Sequence, residues 1–379
     1  MEIKFKDYSN SFENKLNILF FDSVFKKREE FEYVKEHSWI ERYKYEKNSI
    51  QLLAINKNEI IASIGVLPIE TRVNNKIYKG GCFVDNCVLD KYSKDIVKIT
   101  FKMFNELEKV IIDKKFDFLI GWDYIKHKNN YSKLIKEKKY ITKEGINWIS
   151  GGFEYKKNNP KKWQAGKTIL IEFILAKIYN RIKLNLIKKD KGIKVRFIKN
   201  SDYSKISNLI HQCYPKDFII NYNKKTFSNL LKKYVMSGII IEKNGKIVAA
   251  APFQIGSWSG WMYGNPSKTK DWEIFNTILP EIIAIDPKYK KTNIPKILSV
   301  ALIKETQKNN LFSKTNGFVT DVFDTAISWR KKAHTDASYL EPKMDFGMFI
   351  AKSFNKKLKF TKNQIWHIPP RNIISPKLK

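Results

Sequence analysis

The stretch IDPKYKKTNIPKIL, Ile285–Leu298, decides how this chain is read. It has the look of a strand ending in Asp286-Pro287, a basic turn built on Tyr289, Lys290 and Lys291, and a helix opened by Asn293-Ile294-Pro295. Asn293 suits a helix N-cap, and Pro295 suits the first helical turn, where its missing N–H costs little. Phosphates are commonly bound where a strand gives way to a helix, because free backbone N–H groups and the helix dipole both favour an anion there. Two readings stay open for the stretch itself: a phosphate-binding loop without its glycines, or a basic turn alone.

The same order of elements occurs earlier in the chain. FVDNCVLDKYSKDIVKITFKMFNELEKV (Phe83–Val110) lines up with EIIAIDPKYKKTNIPKILSVALIKETQK (Glu281–Lys308), each a strand ending in Asp, a Tyr-containing basic turn and a helix. A hairpin precedes each: Gln51–Ile55 and Ile60–Leu67 around Asn56-Lys57-Asn58, then Gly238–Glu242 and Ile247–Phe253 around Asn244-Gly245. A strand follows each helix, FDFLIGW at Phe116–Trp122 and GFVTDVF at Gly317–Phe323, and after it another helix candidate, NNYSKLIKEKKY or TAISWRKKAH. A repeat of this length outweighs any single motif and predicts a duplicated α/β architecture. It divides the chain into a first domain at 1–157, a linker at 158–192, a second domain at 193–352 and a basic, Pro-containing C-terminal tail at 353–379. The linker reads as a helix, TILIEFILAKIYNRIKLNLIKK, either packed between the halves or lying as a basic amphipathic helix on an anionic membrane; its charges interrupt it too often for a span.

Composition sets the outer bounds. The chain has 379 residues, 43% of them apolar and 14% aromatic, enough for more than one hydrophobic core. Its net charge is +33, yet only seven of the 71 basic residues are Arg, at 28, 42, 72, 181, 196, 330 and 371. That surplus of Lys is either a solvated surface of the kind an AT-rich genome encodes or a surface that attracts anions such as coenzyme phosphates, anionic lipid, transfer RNA or acidic glycans. Specific DNA reading favours Arg, which is scarce among the basic residues, and a recognisable docking motif, which is not evident. Cys82, Cys87 and Cys213 form no paired CxxC and the five histidines show no metal spacing, so the expectation is no metal site and no disulfide framework. With no apolar signal core in MEIKFKDYSN, the expected location is the cytoplasm, peripheral to a membrane if the basic surface is used there.

The order of hairpin, strand ending in Asp or Pro, Tyr-basic turn, helix, strand and helix resembles the GNAT superfamily of acyl-coenzyme A N-acyltransferases, whose turn typically reads V-x-P-x-Y-R-x-x-G-x-G/A. Ile285-Asp286-Pro287-Lys288-Tyr289-Lys290-Lys291-Thr292-Asn293-Ile294-Pro295 follows that pattern, with Asn293 and Pro295 at the glycine positions. The first copy, Val88-Leu89-Asp90-Lys91-Tyr92-Ser93-Lys94-Asp95-Ile96-Val97, is one residue shorter and brings Asp95 near the pyrophosphate position. The resemblance implies two tandem GNAT-like domains, each a mixed, mainly antiparallel sheet flanked by helices. It also implies acetyl-CoA or another acyl-CoA as co-substrate, held at Val88, Leu89, Tyr92, Ser93, Lys94 and Ile96 or at Ile285, Tyr289, Lys290, Lys291, Asn293 and Ile294. The acceptor it implies is an amine, on a small molecule or an envelope precursor. Alternatives are a tRNA-dependent aminoacyltransferase like the Fem-type peptidoglycan enzymes, also paired GNAT-like domains, and a catalytically inactive binding module.

Family chemistry is direct attack of an amine on the thioester, with a carboxylate or water taking the proton and often a Tyr protonating the thiolate. At the usual Tyr position the first copy has Lys136 and the second Arg330, leaving Tyr131 as the nearest candidate acid. Candidate bases are Asp85, alternating with Cys87 and Leu89 along the first copy's central strand, its analogue Glu281, and Asp123, at the C-terminal end of the following strand, where α/β sites collect. The competing reading makes these ordinary surface carboxylates. Cys87 has no nearby His to activate it as a nucleophile and reads as a buried structural thiol. Ala165-Gly166-Lys167-Thr168 has a Walker A ending but lacks the first glycine and a preceding strand. The aromatic and glycine-rich WSGWMYGNP, Trp258–Pro266, reads as a packed hairpin or a substrate-binding lip.

Overall fold

The computed structural model describes residues 4–7, 19, 48–152, 192–233, 235–259, 274–308, 317–321 and 343–367. The linker helix, the Walker-like tetrapeptide, most of Trp258–Pro266 and the TAISWRKKAH segment lie outside them. In chain order the strands are β1 (Lys4–Asp7), β2 (Ile50–Asn56), β3 (Glu59–Val73), β4 (Lys76–Val88), β5 (Phe118–Tyr124), β6 (Ile141–Gly152), β7 (Ile193–Phe197), β8 (Ile219–Ile220), β9 (Val235–Lys243), β10 (Lys246–Ser259), β11 (Ile274–Pro280), β12 (Ala284–Ile285), β13 (Gly317–Asp321) and β14 (Lys343–Ser353). The helices are α1 (Ile96–Asp113), α2 (Ser132–Lys138), α3 (Tyr203–Cys213), α4 (Lys224–Lys233) and α5 (Ile294–Lys308).

Two compact units result, and they interleave the sequence. Unit 1 takes Met1–Asn147, Lys216–Ile220 and Phe346–Ile368; unit 2 takes Trp148–Pro215, Asn221–Asp345 and Pro369–Lys379. Unit 1 carries the strand order β1-β2-β3-β4-β5-β14, with β8 on β3. Every neighbouring pair is antiparallel except β4 with β5. Unit 2 carries β7-β9-β10-β11-β13 and then residues Trp148–Gly152 of β6, with β12 on β10; its exception is the parallel pair of β11 with β13. Each unit is thus a mixed, mainly antiparallel sheet with helices, as the repeat predicts. The strand that closes each sheet comes from the far part of the chain: β14 lies beside β5, and the end of β6 lies beside β13.

Local chemistry explains the elements. The hairpin turns at Lys57-Asn58, Asn74-Asn75 and Asn244-Gly245 all have positive φ at both residues, the geometry that a tight hairpin requires and that Asn and Gly tolerate. Helix α1 buries Ile99, Met103, Phe104, Leu107 and Ile111, a stripe at helical spacing, against Ile64, Val66 and Phe83 of the sheet and Met348 and Ile350 of β14. In unit 2, Ile294, Ile297, Leu298, Ala301 and Leu302 of α5 pack in the same way on Ile239, Ile241, Ala249 and Ala251. The first part of the C-terminal tail is irregular in backbone yet packed. Leu358, Phe360 and Trp366 are buried, and Phe360 and Phe218 join Phe118 in an aromatic cluster with centroids 4.8–6.1 Å apart.

Glycines set how closely the centre of unit 1 packs. A methyl group on Gly121 would stand 2.4 Å from the Phe83 ring, and one on Gly81 would stand 2.2 Å from Val66 Cγ1. In unit 2, Arg196 donates to Asp202 at 2.7 and 3.0 Å and to Glu242 through Nε at 3.1 Å, and it holds the Asp202 carboxyl below the usual carboxylate range.

Gly121→Ala is expected to lower stability by about 1–3 kcal/mol in urea unfolding through overpacking, whereas Gly245→Asn, at a turn open to solvent, should be near neutral. Arg196→Ala should cost about 3 kcal/mol by stranding the Asp202 carboxylate, which is 5% exposed. Because the folded carboxyl titrates below its unfolded value of about 4, its contribution is full above that value and lost as pH falls through the lower one. An acid-unfolding scan should therefore show a smaller dependence on pH in that range for Arg196→Ala.

Candidate active site

Strand β4 is interrupted on one side and abandoned on the other. Its ladder with β3 pairs Val84 with Gly65 and Cys87 with Ser63, so Asp85 and Asn86 together stand opposite Ile64. This bulge breaks the alternation that grouped Asp85 with Cys87 and Leu89, and such bulges re-aim side chains at sites. The Asp85 side chain lies outside the described residues. Toward β5 the parallel ladder holds only Gly80–Phe118, Gly81–Leu119 and Cys82–Ile120. Both strands run on, to Val88 and to Tyr124, and among the described residues no further pair joins them.

Across that opening runs a chain of hydrogen bonds. Asn86 Nδ2 donates to the Tyr131 hydroxyl at 2.8 Å, and that hydroxyl donates to Asp123 Oδ2 at 2.6 Å. The other oxygen, Asp123 Oδ1, lies 2.8 Å from His127 Nδ1. Each side chain is placed by local structure: Asn86 by the bulge, Asp123 near the end of β5, and His127 and Tyr131 by the 3-10 turn Ile125–Tyr131 that follows it. The network grades from buried to wet. Tyr131 is 1% exposed and meets the Phe104 ring edge-on, the Asp123 side chain is 19% exposed, and that of His127 is 37% exposed. Burial, and then the Asp123 charge, push the Tyr131 phenol well above its ordinary value, so it stays a proton donor. Asn86 Oδ1 is buried without a hydrogen-bond partner among the described residues.

The structure therefore brings Asp123 and Tyr131 together and adds Asn86 and His127, which the sequence reading passed over. The Asp-x-x-x-His spacing of Asp123 and His127 was the available signal. Tyr131 spends its proton on Asp123 and has almost no exposed surface, which suits holding that carboxylate better than reaching a thiolate. In unit 2, Glu281 is 1% exposed and accepts from the Tyr222 hydroxyl at 2.9 Å. Arg330 lies outside the described residues.

The two Tyr-basic turns share a structural device. Tyr92 donates to Glu59 Oε2 and accepts from Asn56 Nδ2, both at 3.2 Å, which ties its turn to the β2–β3 hairpin. Tyr289 packs on the unit 2 core beneath the Lys243 ammonium, 5.6 Å from its ring centroid, at the β9–β10 hairpin. In the second turn the N–H groups of Lys288, Tyr289, Lys290, Thr292 and Ile294 are all bonded within the turn, and Pro295 has none to give. Asn293 occupies the N-cap position and its carbonyl takes the Ile297 N–H, but the side-chain acceptor is the Thr292 hydroxyl, which takes the Ile294 N–H at 3.2 Å. The first turn differs in its side chains. Ser93 and Lys94 are exposed, and the N-cap residue Asp95 makes no side-chain bond to the first amides of α1, although its own charge opposes a phosphate. The Ile96 N–H is bonded to the Ser93 carbonyl and the Tyr92 N–H to that of Leu89, so the first turn, a 3-10 helix over Asp90–Asp95, also spends amides internally. Leu89 is buried with its N–H on Ile61, and Ile285 is buried as well. Among the described residues no three His, Cys, Asp or Glu are grouped to hold a metal, and no helix is long and apolar enough to cross a membrane.

Solved structures share this architecture. A GCN5-related N-acetyltransferase from Sphaerobacter thermophilus superposes with a TM-score of 0.57 at 8% identity, over 94% of this chain and 98% of that one. The N-myristoyltransferase of Saccharomyces cerevisiae, solved with bound myristoyl-CoA, gives 0.53 at 12% identity, over 92% and 82%. A GCN5-related glucosamine N-acetyltransferase region of a fungal multi-domain β-N-acetylglucosaminidase gives 0.55 at 10% identity, over 93% of this chain and 38% of that one. No family model matches the chain, and no curated protein matches it in sequence. The likeness is one of fold: this chain has the fold of the GNAT superfamily, shared by GCN5-related N-acetyltransferases and N-myristoyltransferases.

Tyr131→Phe removes the donor to Asp123 and the acceptor of Asn86 at once. It should destabilise the protein by about 1–3 kcal/mol in urea unfolding, the usual cost of leaving buried polar groups unsatisfied.

Proposed function

We propose that the chain is an N-acyltransferase that moves an acyl group from an acyl-CoA to an amine, with its working site at the opening between β4 and β5 in unit 1. The observation that carries this reading is the ladder that stops at Cys82–Ile120 while Asn86, Tyr131 and Asp123 span the gap beyond it. An opening of this kind exposes the unpaired backbone edges of two strands, which can receive the pantetheine arm and thioester as if they were a strand. The fold supports acyl transfer in general, and the structural neighbours include an enzyme solved with an acyl-CoA bound. Acetyl-CoA is the donor proposed first. Unit 1 is favoured over unit 2 because the opened ladder and the Asn86–Tyr131–Asp123 chain lie in it, whereas Glu281 of unit 2 is buried against Tyr222.

The acceptor is proposed to be a primary amine on a small molecule or an envelope precursor. A cytoplasmic site of action suits three thiols that form no disulfide. The +33 charge gives specific support to one second reading, transfer from aminoacyl-tRNA, and it also makes an anionic membrane surface a proposed contact.

Thermal shift with acetyl-CoA and with myristoyl-CoA tests the proposal. A ligand at 100 times its Kd should stabilise the protein by about 2.7 kcal/mol. Lys94→Glu should weaken that effect, and Lys290→Glu should leave it intact. The reverse pattern would move the site to unit 2, and no shift with either thioester would overturn the coenzyme reading. Strongly salt-dependent binding of transfer RNA in place of coenzyme would select the aminoacyl route. Release of coenzyme A in the presence of glucosamine or of a glycine-initiated peptide would class the amine. Asp85→Asn in the same assay decides whether that bulge carboxylate takes part in turnover.

A further inference from the structure

We infer that unit 1 carries a phosphate-binding cleft at the end of β14, separate from the opening between β4 and β5. Its walls are the end of α2, the start of β6 and the segment that follows β14, and its volume is about 590 Å3. Four lysines line it, Lys138, Lys139, Lys352 and Lys359. They come from two stretches far apart in the chain, so only the folded protein brings them together. Lys352 is paired with Leu119 and Ser353 with Phe118, at the start of β5, whereas the opening lies at its other end beside Asp123. Strand from Phe118 to Asp123 covers about 16 Å, which keeps the two places apart.

The positive charge of the cleft is only partly met by the protein. Lys352 donates to Glu108 Oε1 at 2.7 Å, and Lys138 lies 3.7 Å from the other oxygen, so one carboxylate serves two ammonium groups. The rings of Tyr140 and Phe354, each 5.3 Å away, hold the Lys352 ammonium in place. Glu137, the carboxylate in the wall, is shared with Lys133 at 3.8 Å. Lys139 and Lys359 are exposed, and among the described residues their ammonium groups have no partner. Lysines in the last turn of a helix often serve only its dipole, but that reading does not reach Lys352 and Lys359. Lys139 itself stands at φ 58°, a left-handed position that Gly or Asn takes at lower cost, and there it puts a cation on the cleft. Phosphate is the anion this set suits. Lysine binds it as a point charge, without the planar fork by which arginine grips a carboxylate. The volume is that of a small-molecule site, and the buried Leu358 and Phe360 give it an apolar side. The ligand class is therefore a diphosphate or a small phosphorylated molecule, and a phospholipid headgroup offers the same chemistry.

Calorimetric titration with inorganic pyrophosphate, and co-sedimentation with phosphatidylcholine vesicles containing phosphatidylglycerol, test the cleft and separate its two sources. Lys139→Glu and Lys359→Glu should each weaken pyrophosphate binding about tenfold, the usual worth of a hydrogen bond to a charged group. Lys76→Glu combined with Lys114→Glu, exposed positions outside the cleft, should leave it unchanged. Lys139→Gly should weaken binding without lowering Tm, because the backbone there favours glycine. Vesicle binding that is lost when Lys139→Glu and Lys359→Glu are combined, with no heat from pyrophosphate, would make a lipid headgroup the source and still support the cleft. Binding of neither probe, binding that survives the combined cleft variant, or an equal loss in the two charge-matched pairs would overturn the inference. Acetyl-CoA thermal shift should be the same in the combined cleft variant as in wild type, and its loss there would overturn the separation from the coenzyme. Failure of acetyl-CoA to bind the wild-type protein would count against the acyl-transfer reading and leave the cleft standing.

Discussion

The parallel ladder between β4 and β5 is the constraint on which the rest of unit 1 depends. It is held at Gly80, Gly81 and Cys82, where two glycines let Phe118 and Val66 close in, and it is given up where the bulge at Asp85 and Asn86 bends β4. Had the ladder continued to Val88, the strand edges would be consumed by each other and no opening would form. Because it stops, Tyr131 has room to reach from the turn after β5 to Asn86, and one phenol joins the two diverging strands. The cost of burying that phenol is offset by two hydrogen bonds, one of them to a carboxylate, the stronger kind.

A second constraint is that neither sheet is completed by its own stretch of chain. Unit 1 needs an antiparallel neighbour for β5 and obtains it from β14, whose Met348 and Ile350 also fill the core beneath α1. Unit 2 needs one for β13 and obtains it from the end of β6. An unpaired edge beside a central parallel pair would leave backbone groups open to aggregation. The C-terminal segment after β14 adds to unit 1 through Phe360 and Trp366, so the far end of the sequence belongs to the core of its beginning.

The stretch Ile285–Leu298 fits this picture as a fold element first. Its Tyr289, like Tyr92 in the first copy, ties the turn back to a hairpin, by a cation over the ring in one case and by Glu59 and Asn56 in the other. The turn satisfies most of its amides by itself, with Asp286 and Thr292 as the side-chain acceptors. The glycines missing from the pattern matter less to the fold than to an anion: a turn that bonds its own N–H groups has few to offer a phosphate.

The sequence by itself determined the local elements. Turn residues with positive φ, the apolar stripe of α1 and the strand–turn–helix order are local, so they are legible at the spacing of a few residues. Asp123 and Tyr131 were also legible as candidates, one near a strand end and one just before a short helix. The tertiary structure decided what no local pattern encodes. A bulge is a property of two strands in register, so the placement of Asn86 could not be read from β4 alone. The joining of Asp123 to Tyr131 and His127 depends on how the 3-10 turn folds back, and the origin of each closing strand depends on pairing between residues far apart in the chain, as in Asp123 with Met348 and Trp148 with Asp321. Hydrophobic periodicity says which face of a strand is buried; only the folded sheet says beside which strand it lies.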